Sequence, residues 1–187
     1  MATPSKLCGD LRERVTVLKL EKTADSYNWT AVRRVWANMQ PAGKNVFSSA
    51  GVGAKGVQLV LRRQPLSLTN MILWRGKYVF LSDIQPYAPG HLLVSGALVE
   101  ISDCVADVHN NPPGPHFPAI LTEKYLKHDQ LEPYAINILT YVLVTPKCIV
   151  LDRGGLVKVG ETNYEVQLAH VLDPNKNEYE IVRTEDL

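Results

Sequence analysis

Apolar side chains in this chain recur at every second position, and helical spacing is nearly absent. That period commits most of the sequence to β-strands, because successive side chains on a strand point to opposite faces. In Arg14-Val-Thr-Val-Leu-Lys-Leu20 the valines alternate with Arg14 and Thr16, so Arg12–Leu20 is expected to be a strand. Glu21–Asn28 is polar and turn-like. Trp29–Met39 reads as a long strand with Trp29, Ala31, Val35 and Ala37 on one face and Val32 and Trp36 on the other. Arg33 falls on the first face and breaks the pattern, marking a place where that face meets solvent or a neighbouring subunit. Val57–Arg63 is the next strand. The clearest hairpin follows: Met71–Trp74, a Gly-centred connection Arg75-Gly76-Lys77, and Tyr78–Ile84. A Pro turn leads to Leu92–Ile101. Six strands in about ninety residues suit a small barrel or sandwich.

Between the second and third strands lies a different material. Gln40–Gly56 holds four glycines, three alanines, two serines and two lysines around a single aromatic, Phe47. A loop of that length within a compact β-domain is usually functional or disordered.

The rest of the chain divides in two. Ser102–Pro118, with Asn110-Asn-Pro-Pro-Gly-Pro115, reads as a semi-rigid linker. In the final part, 119–187, Ala119–Lys127 fits a short helix. Strands are expected at Ile136–Val144, Cys148–Leu151, Leu156–Val159, Tyr164–Leu172 and Glu178–Arg183. The domain plan is therefore 1–101, a linker at 102–118, and a β-rich unit at 119–187. Trp74–Ile84 with Leu92–Ile101 has a counterpart in Val159–Ala169 with Glu178–Val182. Either the barrel is duplicated, or hairpin rules alone generate the match. The fold class is all-β: a small barrel with a long inserted loop, then a second β-rich domain.

Composition narrows the function. Twenty basic residues against nineteen acidic ones leave a net charge of +1, so no broad basic excess points to a nucleic-acid backbone. Arg33-Arg34 and Arg62-Arg63 read as a solvated strand face. Three widely spaced cysteines, Cys8, Cys104 and Cys148, form no disulfide framework and suit a reducing compartment. The first residues lack the apolar core of a signal peptide, and Ile136–Val144 is too short to span a bilayer, so a soluble chain with no membrane partner is expected.

No catalytic constellation is visible, and no enzyme activity is expected. Gly51-Val-Gly-Ala-Lys-Gly56 lacks the Gly-Lys-Ser/Thr of a phosphate loop, and no helical pattern follows it. The five histidines are scattered, and Cys104, His109 and His116 lack the tight pairs of a zinc site; neither metal nor cofactor is expected. Cys104 and Cys148 read as small buried hydrophobes. Trp29, Trp36, Trp74, Tyr78 and Phe80 form either a stacking platform for single strands or, the better reading without interleaved basic residues, core.

The ordered set Arg14-Val15, Trp29-Thr30, Val35-Trp36-Ala37, Pro41-Ala-Gly43, Leu61-Arg62-Arg63 and Gly76-Lys77-Tyr78 resembles the head-closure (head–tail connector, or stopper) proteins of tailed bacteriophages. The likeness covers about residues 10–101. It implies a small β-barrel that assembles as a homo-oligomeric ring in the virion neck after synthesis in the host cytoplasm. Portal or adaptor proteins would lie above the ring, tail terminator or other tail proteins below, and viral DNA would pass through the channel. The loop Gln40–Gly56 takes the place of the family's channel loop. Lys44 and Lys55 would there meet phosphates, and Val46 and Phe47 would make apolar contacts at the axis. This chain continues more than eighty residues past the family's usual end. Alternatives are a tail-completion or tail-hub protein and a nucleic-acid-binding β-barrel.

Overall fold

The computed structural model describes residues 11–42, 55–110, 112–123 and 140–186. Among them there is no α-helix; a single 3₁₀ turn, Thr184–Asp186, follows the last strand. The strands of the first part are β1 (Glu13–Lys22), β2 (Tyr27–Pro41), β3 (Lys55–Arg62), β4 (Met71–Trp74), β5 (Lys77–Tyr87) and β6 (His91–Val99). Those of the second are β7 (Ser102–Ala106), β8 (His116–Glu123), β9 (Tyr141–Pro146), β10 (Leu156–Val159), β11 (Thr162–His170) and β12 (Lys176–Arg183). Each set closes into a six-stranded barrel. Closure removes the exposed strand edges that an open sheet of this size would leave. The chain divides into two compact units between Glu100 and Ile101, with the β1–β2 turn, Lys22–Asn28, counted in the second.

The two barrels have one topology. The first runs β1-β2-β3-β6-β5-β4 around its circumference, and the second runs β7-β8-β9-β12-β11-β10. The match extends to register. Trp74 pairs with Lys77 across the β4–β5 hairpin, and Val159 pairs with Thr162 across β10–β11. At the same distance past each hairpin the ladder shifts, between Leu81 and Asp83 in β5 and between Val166 and Leu168 in β11. A β-bulge bends its strand and sharpens the twist, so both barrels turn the same corner with the same device. The sequence match between Trp74–Ile84 and Val159–Ala169 is thus a true structural repeat.

Equivalent positions also share burial. Val15 and Cys104, Ala37 and Ala119, Leu59 and Leu143, and Leu81 and Val166 all lie inside their barrels. Burying a valine or leucine of this set contributes about 1.5–3 kcal/mol. Cys104 is a small core residue, and burial pushes its thiol up to about 12.

The two barrels differ at the residues that follow their third strands. In the first, Leu66 and Leu68 of the β3–β4 connection pack against the core. In the second, Ile149 and Leu151 of the β9–β10 connection are buried and held by hydrogen bonds. The Ile149 carbonyl accepts from Asn177 Nδ2 at 2.7 Å, Tyr179 Oη at 3.1 Å and Thr145 Oγ1 at 3.4 Å. Tyr179 Oη in turn accepts from the Leu151 N–H at 3.1 Å, and Asn177 Nδ2 also reaches the Lys147 carbonyl at 3.1 Å. Leu61 pairs with Leu92 and Leu59 with Val94, where the second barrel pairs Thr145 with Asn177 and Leu143 with Tyr179. Three apolar positions of one barrel are therefore polar in the other.

The second half differs from the sequence expectation in several places. Ser102–Pro118 is not a linker: it contains all of β7 and the start of β8. The prolines at 112, 113 and 115 are confined to the β7–β8 connection, and their composition masks the short strand before them. Ala119–Glu123 is strand rather than helix, its residues paired in order to β9 and β7. Cys148–Leu151 is not a strand but the inward-folded connection just described, with Cys148 itself exposed. The β4–β5 connection is a two-residue turn, not three, with Arg75 and Gly76 at φ 48° and 77°. Positive φ at both central positions suits the right-handed twist of a hairpin.

Candidate functional site

The ladder between β2 and β3 runs from Ala37 opposite Leu61 to Pro41 opposite Val57, and the Ala42 N–H donates to the Gly56 carbonyl at 2.8 Å. The excursion expected at Gln40–Gly56 is therefore shorter, bounded by Ala42 and Lys55. Gln40, Pro41 and Gly56 lie in paired strands, opposite Gln58, Val57 and Ala97 respectively. Of the four residues expected to act in the channel loop, Lys55 is the exposed first residue of β3, paired with Leu98. Lys44, Val46 and Phe47 lie outside the described residues.

The tryptophans separate. Trp74 packs against the first core, and its Nε1 donates to Glu13 Oε2 at 3.1 Å. Arg75 lies over the Trp74 ring at 5.1 Å and grips the same carboxylate, with Nη2 2.5 Å from Oε1. The hydrogen bonds from Trp74 and Arg75 hold the Glu13 carboxyl below the usual carboxylate range. Trp29 is half-buried. Trp36 goes the other way. It is 55% exposed, with Val32 on the same face at 50%. Ala37 beside it is fully buried, so the strand's alternation sends Trp36 outward.

Around Trp36 the structure assembles what the sequence scatters. Arg14 of β1 lies over its ring, 5.8 Å from the centroid. Ala37 and Leu61 are paired and buried, so Trp36 and Arg62, the next residues along each strand, both face outward. Together with Leu11, Val35 and Gln64 they line an open depression of about 560 Å³. Arg34, two residues before Trp36, is exposed on the same face. Arg33 points elsewhere and is spoken for: Nε donates to Gln64 Oε1 at 2.7 Å, and Nη2 donates to the Pro65 carbonyl. It ties β2 to the β3–β4 connection, which is why it interrupts the apolar pattern.

Elsewhere the polar chemistry is structural. His116 Nδ1 sits 3.0 Å from Asp103 Oδ2, and His170 Nε2 3.1 Å from Glu180 Oε1, both as surface pairs. Among the described residues no three His, Cys, Asp or Glu side chains converge on one point. Burial raises the Tyr179 hydroxyl above its ordinary value. Compared with models of known protein families the chain matches none, and no curated protein sequence matches it.

Proposed function

We propose that this protein is a structural component of a phage neck, a head–tail connector. It forms a ring below the portal or adaptor, closes the DNA-filled head and offers the surface on which the tail docks. The observation that carries this reading is the placement of the family-like words on the first barrel. Arg14-Val15 lies in β1, Trp29-Thr30 and Val35-Trp36-Ala37 in β2, and Gly76-Lys77-Tyr78 spans the β4–β5 hairpin. The excursion falls between β2 and β3 of a closed barrel, where the resemblance requires the channel loop. The second barrel repeats the first, which supports an assembly made of repeated barrels.

In this reading the protein turns over no substrate. Lys44, Val46 and Phe47 act in the channel, and Lys55 stands where the loop rejoins the barrel. The test is a deletion of Val46–Gly53, which spares the first residue of β3, in the phage that encodes the chain. Heads that fill and then lose their DNA, or fail to take tails, support the reading. Normal particles remove the gate role from the loop.

A further inference from the structure

We propose that the outer face of β1, β2 and β3 around Trp36 binds single-stranded nucleic acid, with a base stacked on Trp36 and phosphates held by Arg14 and Arg62. This binding is independent of the neck reading. A half-exposed tryptophan ring stands on this face with an open depression beside it. Among the described residues the charged side chains placed at this spot are arginines. Arg14 comes from one neighbouring strand, Arg62 from the other, and Arg34 from the same face of β2. Leu11, Val35 and Gln64 complete the lining, and among the described residues no carboxylate lines the depression. Among the described residues none of the three arginines forms an ion pair.

An occupant must therefore be anionic and must offer a flat apolar face to the ring. A nucleotide in a single strand supplies both: aromatic stacking is indifferent to base identity, and the backbone phosphates fall beside the stacked ring. A duplex keeps its bases stacked inside and cannot place one on Trp36. The arginine on each flank also suits a strand that crosses β1, β2 and β3 in turn. The nearly balanced total charge does not oppose this, since the cations are gathered locally rather than spread over the chain.

The test uses the full chain, a short labelled oligodeoxythymidylate and the duplex of equal length, with affinity followed by fluorescence anisotropy at several salt concentrations. The expected result is single-strand binding that weakens with salt and exceeds duplex binding. Trp36→Ala is expected to weaken it about ten-fold or more, while Trp36→Phe, which keeps a stacking face, stays within a few-fold. Arg14→Glu and Arg62→Glu are each expected to weaken binding and to lower the salt slope by about 0.7 for each phosphate no longer held. All three side chains changed are at the surface, and circular dichroism checks that the variants stay folded. The proposal is overturned by no binding at low salt, by duplex binding as tight as single-strand binding, or by affinity unmoved in Trp36→Ala and Arg62→Glu. It is equally overturned if these variants only dissociate a self-associated wild-type chain, which would make the face a protein interface.

Discussion

The two barrels solve one folding problem with two chemistries. Strand order, hairpin register and the position of the bulge coincide, yet the first core meets Leu66 and Leu68 whereas the second meets a connection clamped by Thr145, Asn177 and Tyr179. The apolar arrangement is tolerant, because leucines can repack and leave no polar atom stranded. The polar one is specific. The Ile149 carbonyl accepts three hydrogen bonds, and removing the Tyr179 hydroxyl leaves the buried Leu151 N–H without its acceptor. The same scaffold thus has a barrel insensitive to small changes near its third strand and a barrel in which that region is fixed. The outward face differs as well. Trp36 stands exposed on β2, while the residue at the matching place on β8, Pro118, is buried.

The largest effects should come from the shared core. Leu59→Ala and Leu143→Ala remove equivalent, fully buried leucines and are each expected to cost about 2–5 kcal/mol. Hydrogen exchange should show the loss mainly in the barrel that carries the change. Equal loss in both barrels from either variant would overturn the picture of two separate cores. Next comes the clamp. Tyr179→Phe deletes a hydroxyl that both donates and accepts, and is expected to cost about 1–3 kcal/mol in chemical denaturation. Val94, at the matching position, has no polar role to lose. A neutral result for Tyr179→Phe would mean that the clamp contributes nothing beyond packing.

Gly96 extends the contrast along a different axis. Its place on β6 matches Ile181 on β12, opposite Leu81 and Val166 respectively. A Cβ at Gly96 would lie 2.5 Å from the Phe80 carbonyl oxygen and 2.8 Å from Val79 Cγ1. Gly96→Ala is therefore expected to destabilise by about 1–3 kcal/mol through overpacking, although the second barrel holds a large side chain at the matching position. The smallest effect concerns pH. Glu13 has its folded-state value depressed, so its contribution is present above the ordinary carboxylate range and is lost as pH falls through the folded value. Glu13→Gln should flatten this part of the acid limb of a stability profile, measured by denaturation midpoints. It should leave neutral-pH stability only slightly lower, because the carboxylate keeps contact with solvent.

Much of the first barrel was legible because Arg14–Val17 of β1 and Lys77–Leu81 of β5 alternate and Arg75-Gly76 punctuates the central hairpin. The second was harder to read for identifiable reasons. β7 is five residues long and abuts a Pro-rich turn, so the turn's composition hid it. In β8 four consecutive residues, Phe117 to Ile120, are buried, which erases the alternation that marks a strand. Ile149 and Leu151 alternate as a strand would, yet they face inward from a connection whose backbone is satisfied by side chains of β9 and β12. The site was half legible. Period-two spacing put Val32 and Trp36 on a common face, but spacing does not say which face is inside. The arginines around Trp36 are far apart in sequence and meet only through the β1–β2–β3 arrangement.

Whether this two-barrel chain closes a phage head at the neck is decided by a reconstruction of the necks of particles made with and without it. Closure predicts a ring below the portal in the complete particles, and its loss together with emptied, tailless heads when the chain is absent. Filled, tailed particles with an unchanged neck in its absence would refute the neck reading.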